Sequence, residues 1–529
     1  MMNKITSKQG KTMIGTLLVM GILAFISTYV VFVGKQFQIN PDGIFHLMRF
    51  ESIYQALAAG QWPSRINFIG YEHQGAAVTG MYPWLSAWMF ILPRFFASPM
   101  WSFTIGFLIL NFMTIGFTWL LMGRFTDKTL IKWLGVILYQ FNGYHFILMY
   151  SRVALGEAIG YMALPLVILG LIDIWQNRKY GWAVLGFGMA IIANGHMLSL
   201  LMCTVMVVVF EAGRLIMKKM SVAEFWAIIK AALLAGVLSA YTLFTMLQIM
   251  MQNTLMPPNI RWDALTGHHY ILATLTNDFK EYRDTTMGLV IGIVILVFLI
   301  IAIKNFKKSW ARWIFAANIV FLCTFDFILG PELVNTPFAN IQFSMRFLMF
   351  VAMFLAIGIV MYFDERPLNV PTKVWAWIII VTVMIGSLAG MREYFIKADQ
   401  GDYTHPLTAK TYNKRISKHG VKDYVLRDPS VDFKDIDFTK PDAKEKFFAA
   451  MLYDPDVKKN FKHKKSTFDS VTWTQDTKTA GDTKLPVVGY NGIDYTVRVN
   501  GATVPYERKE GHLFVTLPAG HNEITISGR

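Results

Sequence analysis

What this chain has little of narrows it first. Only two cysteines occur in 529 residues, Cys203 and Cys323, both inside apolar runs. That argues against a disulfide framework, and no Cys-x-x-Cys or Cys/His zinc spacing is present. His268-His269 has no third ligand at a usual spacing and reads as a pair of exposed loop histidines. There is no P-loop, no G-x-G-x-x-G after a strand, no G-x-S-x-G and no H-E-x-x-H, so ATP-driven and zinc-protease readings lose support. Acidic residues are the scarcer sign: 35 against 50 Lys and Arg, a formal net charge of +15. Much of that excess lies in short loops between apolar segments, where it sets membrane orientation, so no nucleic-acid partner is expected. No internal repeat is evident.

Apolar residues are abundant instead. They make up 54% of the chain, with 41 Phe and 15 Trp, the composition of a polytopic membrane protein. Lys4, Lys8 and Lys11 precede an apolar run at about 13–33 that lacks a small-residue cleavage site, which predicts a retained anchor. Ten further apolar segments follow at about 101–122, 133–150, 158–175, 182–193, 198–215, 226–250, 287–303, 310–329, 341–363 and 374–391. A twelfth, 81–96, is interrupted by Pro83 and Pro93. If it does not cross and the N-terminus is cytoplasmic, the loops holding Arg124/Lys128/Lys132, Arg178/Lys179, Arg214/Lys218/Lys219, Lys304/Lys307/Lys308/Arg312 and Arg366/Lys373 are all cytoplasmic. The expectation is a polytopic α-helical membrane protein of about eleven spans, with 81–96 as a non-crossing juxtamembrane helix.

This topology puts the remaining polar clusters on the outer face: 42–65, 151–157, 194–196, 252–284 and 342–346. Ionisable residues at a membrane are costly and are functional candidates, so five clusters on one face predict one site. The transmembrane domain is read as 1–392, with its first outer loop at 34–100. A charged tail, 393–529, follows as an extracellular soluble domain. Alternation at Tyr495/Val497/Val499, Leu513/Val515/Leu517 and Ile524/Ile526, with a two-residue Asn500-Gly501 turn, predicts a β-sandwich-like region at 485–529.

The stretch from Asp42 to Arg65 has helical period yet is too polar to span. Asp42 sits at a cap position after Pro41, and Gly60 and Pro63 supply the stop. Asp42, His46, Arg49 and Ile53 fall on one stripe at i, i+4, i+7 and i+11. A transferase using a lipid-phosphate donor needs a carboxylate near the acceptor hydroxyl and cations near the leaving phosphate. Asp42 is the candidate base, or only a helix cap. Arg49 and Arg65 are candidate phosphate ligands, or headgroup anchors. Arg152 and Glu157 form a binding pair or seal a turn. Asn194 fits a tight turn with Gly195, and His196 is a ligand or a satisfied turn residue. Arg346 is a ligand or a snorkelling cation.

The segments DGIFHLMRFESIYQALAAGQWPSRIN, GMYPWL, YSRVALGEAIGYMALPLVIL, NGHMLSLL and IQFSMRFL resemble the bacterial YfhO-type membrane proteins and relatives described as pyruvoyl-tetrahydropterin-synthase-related. Both belong with the C-type glycosyltransferase (GT-C) superfamily. The tail motif LPVVGYNGIDYTVRVNG with VTLPAGHNEITI is similar to the YfhO-type tail, so the resemblance covers most of the chain. It implies a GT-C-like fold and a polyprenyl-phosphate sugar as donor. Asp42 matches the acidic position of the first outer loop, Arg152 and Glu157 the SR…GE segment, and Arg346 the arginine of a QFPxRF-like motif. Ser344 replaces the usual proline there, and Gly43 stands where many members carry a second acidic residue. The second departure favours a metal-independent reaction with no cofactor, a divalent ion remaining open. The resemblance implies an inverting displacement.

The leading expectation is a membrane glycosyltransferase that moves a sugar from a polyprenyl-phosphate donor to a cell-envelope polymer, a teichoic-type acid or a polysaccharide. Its candidate residues are Asp42 as base and His46, Arg49, Arg65, Arg152, Glu157, Asn194, His196 and Arg346 for phosphate and sugar. The rivals are a flippase for a lipid-linked precursor, which predicts polar residues at mid-membrane and on both faces, and a non-catalytic envelope scaffold.

Overall fold

The structure, a computed structural model, describes residues 7–34, 37–38, 41–280, 285–399, 406–417 and 420–529. Lys4 and positions 281–284 of the 252–284 cluster lie outside them. Six described helices are long and apolar enough to cross a membrane: Thr12–Tyr29, Pro99–Met122, Leu155–Trp175, Met197–Ile216, Ser344–Asp364 and Val370–Ala398. The pair Val222–Leu238 and Ala240–Gln252, bent by 69°, makes a seventh if it counts as one span. This is a helical membrane protein with a C-terminal sheet region.

Eleven spans were expected, and the difference has a local cause. A helix rises about 1.5 Å per residue against an apolar thickness of about 30 Å. Gly181–Ala193, Leu289–Lys304 and Ser309–Leu322 are apolar but shorter than 18 residues. Polar side chains punctuate the runs. In 133–150 the helix Thr129–Gln140 stops, and Asn142 restarts the chain by accepting from the His145 amide at 3.0 Å. In 226–250 the bend falls at Ser239, whose Oγ donates back to the Ala235 carbonyl at 2.5 Å. Leu155–Trp175 is the most enclosed span, buried along nearly its whole length, so the others pack around it. Their outward faces carry exposed Leu18, Val208 and Trp375, as lipid contact requires.

Three spans run between two chemically different ends. Pro99–Met122, Leu155–Trp175 and Ser344–Asp364 start near the expected polar clusters and finish at basic loops. Those loops hold one another. Arg124 pairs with Asp173 (2.6 Å), Lys128 Nζ donates to the Asp364 and Arg366 carbonyls (2.6 Å each), and Lys308 pairs with Glu365 (3.1 Å). Segment 81–96 starts and finishes at the opposite end. The Tyr82 and Pro83 carbonyls accept from Arg49, while Arg94 pairs with Glu51 (3.2 Å), two residues along the same helix.

The last span continues as a helix to Asp399. In the tail Pro406–Leu407 pairs with Phe37–Gln38, and after short helices two larger antiparallel sheets follow, beginning at Lys462, earlier than position 485. In the five-stranded sheet, Gly520–Gly528 pairs with both Ser470–Thr477 and Tyr495–Val499, and Tyr495–Val499 also pairs with Ala502–Val504. The hairpin is present at Asn500-Gly501, where φ values of 51° and 86° put both residues in the left-handed region that such a turn needs. Gly481–Val488, His512–Leu517 and Glu507–Lys509 make the smaller sheet. Ile66, Phe68, Ala77 and Met81 of the first loop share one core with Val471, Trp473, Val487 and Tyr490 of the tail. Burial of each large side chain there contributes about 1.5–3 kcal/mol, which fixes the tail on the loop.

Candidate functional site

The helix Pro41–Ala58 carries the first part of the site. Proline opens it, where its missing N–H costs nothing. Asp42 therefore stands in the first turn and not at the cap, partly exposed at the positive helix end. Gly60, with φ 69°, ends the helix region, its amide donating to the Leu57 carbonyl at 3.0 Å.

One turn further, His46 and Arg49 are buried side by side. Arg49 Nη2 donates to His46 Nδ1 at 3.2 Å. Because guanidinium only donates, this nitrogen is the acceptor and the His46 proton sits on Nε2. Burial first, then the Arg49 and His196 charges, push His46 well below its usual range, so it is neutral. Arg49 Nη1 donates to the Pro83 carbonyl (2.7 Å), and its guanidinium lies 4.3 Å from the Tyr82 ring. Arg49 Nε is buried with no hydrogen-bond partner among the described residues.

Tyr82 is the hub that sequence reasoning passed over, although it stands in the GMYPWL segment. Its ring meets His46 edge-on at 5.4 Å and His196 at 6.1 Å. Burial pushes its hydroxyl up to about 12. A Cβ added to Gly156 would lie 2.3 Å from Tyr82 Oη and 3.1 Å from the Gly195 carbonyl, so glycine permits this close approach. His196 caps Met197–Ile216: its Nδ1 accepts from the Ser199 amide at 3.3 Å and meets Ser199 Oγ at 2.8 Å. Its proton is therefore also on Nε2.

Glu157, one helical turn into the enclosed span, gathers two of the expected arginines. Arg152 Nη1 is 3.0 Å and Arg346 Nε 3.2 Å from the same oxygen, Oε2, and Tyr144 donates to Oε1. Arg346 Nη1 also donates to the Ile341 carbonyl at 2.6 Å. A third guanidinium, Arg261, was not singled out from the sequence. It lies 3.9 Å from the Phe343 ring, against 5.2 Å for Arg152 and 5.1 Å for Arg346. The loop carrying it is pinned by backbone bonds from Asp263 N to the Gln342 carbonyl (2.8 Å) and from Ser344 N to the Asp263 carbonyl (3.0 Å). Ser344 uses its hydroxyl there, accepting from the Leu265 amide at 3.1 Å.

Three segments that meet here hold non-glycine residues in the left-handed region: Val153 (φ 52°), Gln342 (φ 64°) and Tyr424 (φ 65°). Such strain costs about 1–3 kcal/mol per residue and collects at functional sites. Tyr424 belongs to the tail, and it and Asp423 share electrostatic contact with Arg49, Tyr82 and Asp42.

The structure thus brings together Asp42, His46, Arg49, Arg152, Glu157, His196 and Arg346. Two expected residues stand apart. Arg65 donates to Gln248 Oε1 (3.0 Å) and to the carbonyls of Gly492 (2.9 Å) and Arg529 (3.1 Å), so it fastens the tail instead of facing a phosphate. Asn194 Nδ2 donates to the Ala190 and Leu238 carbonyls, and its Oδ1 accepts from Thr242 at 2.6 Å, tying helix ends together. No group of three or more potential metal ligands occurs among the described residues. The open cavity lined by Leu47, Glu51, Arg94 and Tyr412 lies on the other side of the same helix.

No protein-family model matches the chain, and no curated protein matches it. Among solved structures it is similar to the arabinofuranosyltransferase AftD from Mycobacteria, determined by single-particle cryo-EM. Identity is 14% and the TM-score is 0.45, over 72% of this chain and 26% of that one. The chain matches about a quarter of that protein's length.

Proposed function

We propose that this protein is a membrane glycosyltransferase whose site faces outward and which moves a sugar from a polyprenyl-phosphate donor to an envelope polymer. One observation carries the reading: four arginines, Arg49, Arg152, Arg261 and Arg346, converge with neutral His46 and His196 at one end of the bundle, beside the partly exposed Asp42. Such a cluster suits an anionic leaving group in a water-poor setting. Asp42 takes the acceptor proton. The acceptor oxygen attacks the anomeric carbon, and the sugar–phosphate bond breaks with its electron pair leaving on phosphate. Arg49, Arg152 and Arg346 hold that phosphate, and the Nε2–H groups of the two histidines donate to it or to the sugar. Glu157 keeps Arg152 and Arg346 in place. No metal ion is required by this scheme. The buried guanidiniums, Arg49, Arg152 and Arg346, lie at one end of the bundle, which favours an enzyme over a flippase.

The test is transfer itself. Membranes with and without the protein receive a labelled polyprenyl-phosphate sugar, and label on polymer is measured with release of polyprenyl phosphate. Equal amounts of both, only with the protein, support the reading. Movement of intact donor across the bilayer without cleavage would replace it with the flippase. Orientation is checked by Ala502→Cys, exposed on the tail hairpin, which reacts with an impermeant thiol reagent in intact cells if the tail is outside.

A further inference from the structure

The tail does more than cover the first loop. Its segment 420–427 is threaded into the site by named bonds. Gln74 Nε2 donates to the Val421 carbonyl at 2.7 Å. Tyr424 N donates to the Met256 carbonyl (2.9 Å), Met256 N to the Val425 carbonyl (2.7 Å) and Arg427 N to the Thr254 carbonyl (3.0 Å). The Tyr424 carbonyl accepts from Tyr490 Oη at 2.9 Å, and that same hydroxyl accepts from the Ala77 amide at 3.1 Å. Tyr424 is held in the left-handed region, φ 65°, where a bulky side chain is disfavoured, so the backbone path is imposed by these attachments. The residue carried in just before this turn is Asp423.

Asp423 is partly buried. The groups in electrostatic contact with it are Asp42 on the Pro41–Ala58 helix, Arg261 on the loop before Asp263, and Tyr424 beside it. Gly43 leaves this helix without a second carboxylate next to Asp42, and the tail supplies one from a different part of the chain. Nothing in the mechanism above uses it.

We propose that Asp423 is the acceptor-binding residue of the site: brought beside Asp42 by the tail, its carboxylate accepts a hydrogen bond from a second hydroxyl of the incoming acceptor sugar and so presents the reacting hydroxyl to Asp42. This rests on the sugar-transfer reading. Asp423 takes no proton or electron pair in the step; the bond changes remain those at Asp42, the anomeric carbon and the phosphate. The substrate it selects is a polyhydroxyl acceptor with a hydroxyl adjacent to the one glycosylated. Burial, then the neighbouring Asp42 charge, push Asp423 up to about 6, with Arg261 opposing. Its ionised form therefore prevails above pH 6, and acceptor binding weakens as pH falls through that value.

Two measurements on the full chain test this. The first is kinetic, with Asp423→Asn, which keeps shape and removes charge. The acceptor KM is expected to rise about tenfold, as loss of a hydrogen bond to a charged group implies. Donor affinity stays at the parental value, and the change in acceptor KM near pH 6 disappears. An unchanged acceptor KM with an unchanged pH profile overturns the proposal. So does a joint loss of donor and acceptor binding with a protease-sensitive tail, because Asp423 is then only a docking residue. The second needs no substrate: infrared titration of isotope-labelled aspartates. A carboxyl titrating near pH 6 should vanish in Asp423→Asn and move to lower pH in Asp42→Asn. If Asp42→Asn leaves it unmoved, the two carboxylates are not neighbours and the proposal fails. If the titration behaves as stated while the parent transfers no sugar, the pair stands and the transferase reading falls.

Discussion

At the basic-loop end of the bundle, Asp173 takes Arg124 at 2.6 Å and Arg178 at 3.4 Å, and Glu365 takes Lys308 at 3.1 Å. At the other end, Glu157 takes Arg152 at 3.0 Å and Arg346 at 3.2 Å. The residue types are the same; the surroundings are not. The Arg124, Arg178 and Lys308 side chains are 29%, 51% and 55% exposed, whereas those of Arg152, Arg346 and Glu157 are 1%, 7% and 1% exposed. Water reaches the cations of the first set, although Asp173 itself is 6% exposed, and these pairs tie loops together. The second set has lost its water; Glu157 pairs with both cations, the Ile341 carbonyl also accepts from Arg346, and a single carboxylate between two guanidiniums leaves positive charge over. An excess of buried positive charge is what an anionic ligand would complete.

This contrast is broken most forcefully at Glu157. Replacing it by Gln leaves two buried guanidiniums uncompensated and should cost about 3–5 kcal/mol, read as a lowered unfolding midpoint in detergent. A cost below about 1 kcal/mol, the range of exposed pairs, would erase the difference between the ends. Next is Arg49. Arg49→Ala removes its bonds to the Tyr82 and Pro83 carbonyls and to His46, and donor affinity should fall by about 10–100-fold, as loss of a charged hydrogen bond implies. Arg49→Lys keeps the charge without the fork and should lose part of that. Parental donor affinity in both would make Arg49 a structural strut.

A milder effect is expected where the tail meets the first loop. His73 and His463 stack at 3.7 Å, and both meet Ser466 Oγ at 2.9 Å, with Glu72 and Lys458 paired beside them. Loss of solvent, then the His73 charge, push His463 down to about 4 from 6.5. A depressed histidine favours the folded contact while neutral. The contribution is therefore whole above pH 6.5, declines as pH falls, and is gone below about 4. Protease protection of the tail should follow that curve and flatten in His463→Gln; a flat parental curve counts against the contact. The smallest effect belongs to Glu365→Gln at the basic-loop end, which should change stability by less than about 1 kcal/mol.

The legibility of the site divides along similar lines. Asp42, His46 and Arg49 could be read because one helix spaces them, and Arg152 and Glu157 because they interrupt apolar sequence within one turn. Tyr82, Arg261 and Asp423 carry no local signal; each becomes significant only when a distant segment arrives beside it. Arg65 shows the converse. Its position after a juxtamembrane helix suggested a phosphate ligand, but the carbonyls that occupy it belong to Gly492 and Arg529 of the tail. The helices long enough to span are fewer than the apolar runs for a different reason. Averaged hydropathy runs straight through Asn142 and Ser239, while a helix stops or bends where such side chains bond its backbone.

The central claim is that Asp42 is the base of a sugar transfer. Asp42→Asn keeps the shape of a first-turn residue and removes the carboxylate, and no described hydrogen bond of the fold depends on it. Transfer of labelled sugar from a polyprenyl-phosphate donor is measured in membranes of matched protein content. Retained donor binding with transfer lowered on the order of a hundredfold or more is the predicted result. Transfer at the parental rate would contradict the account and leave the arginine cluster without its base.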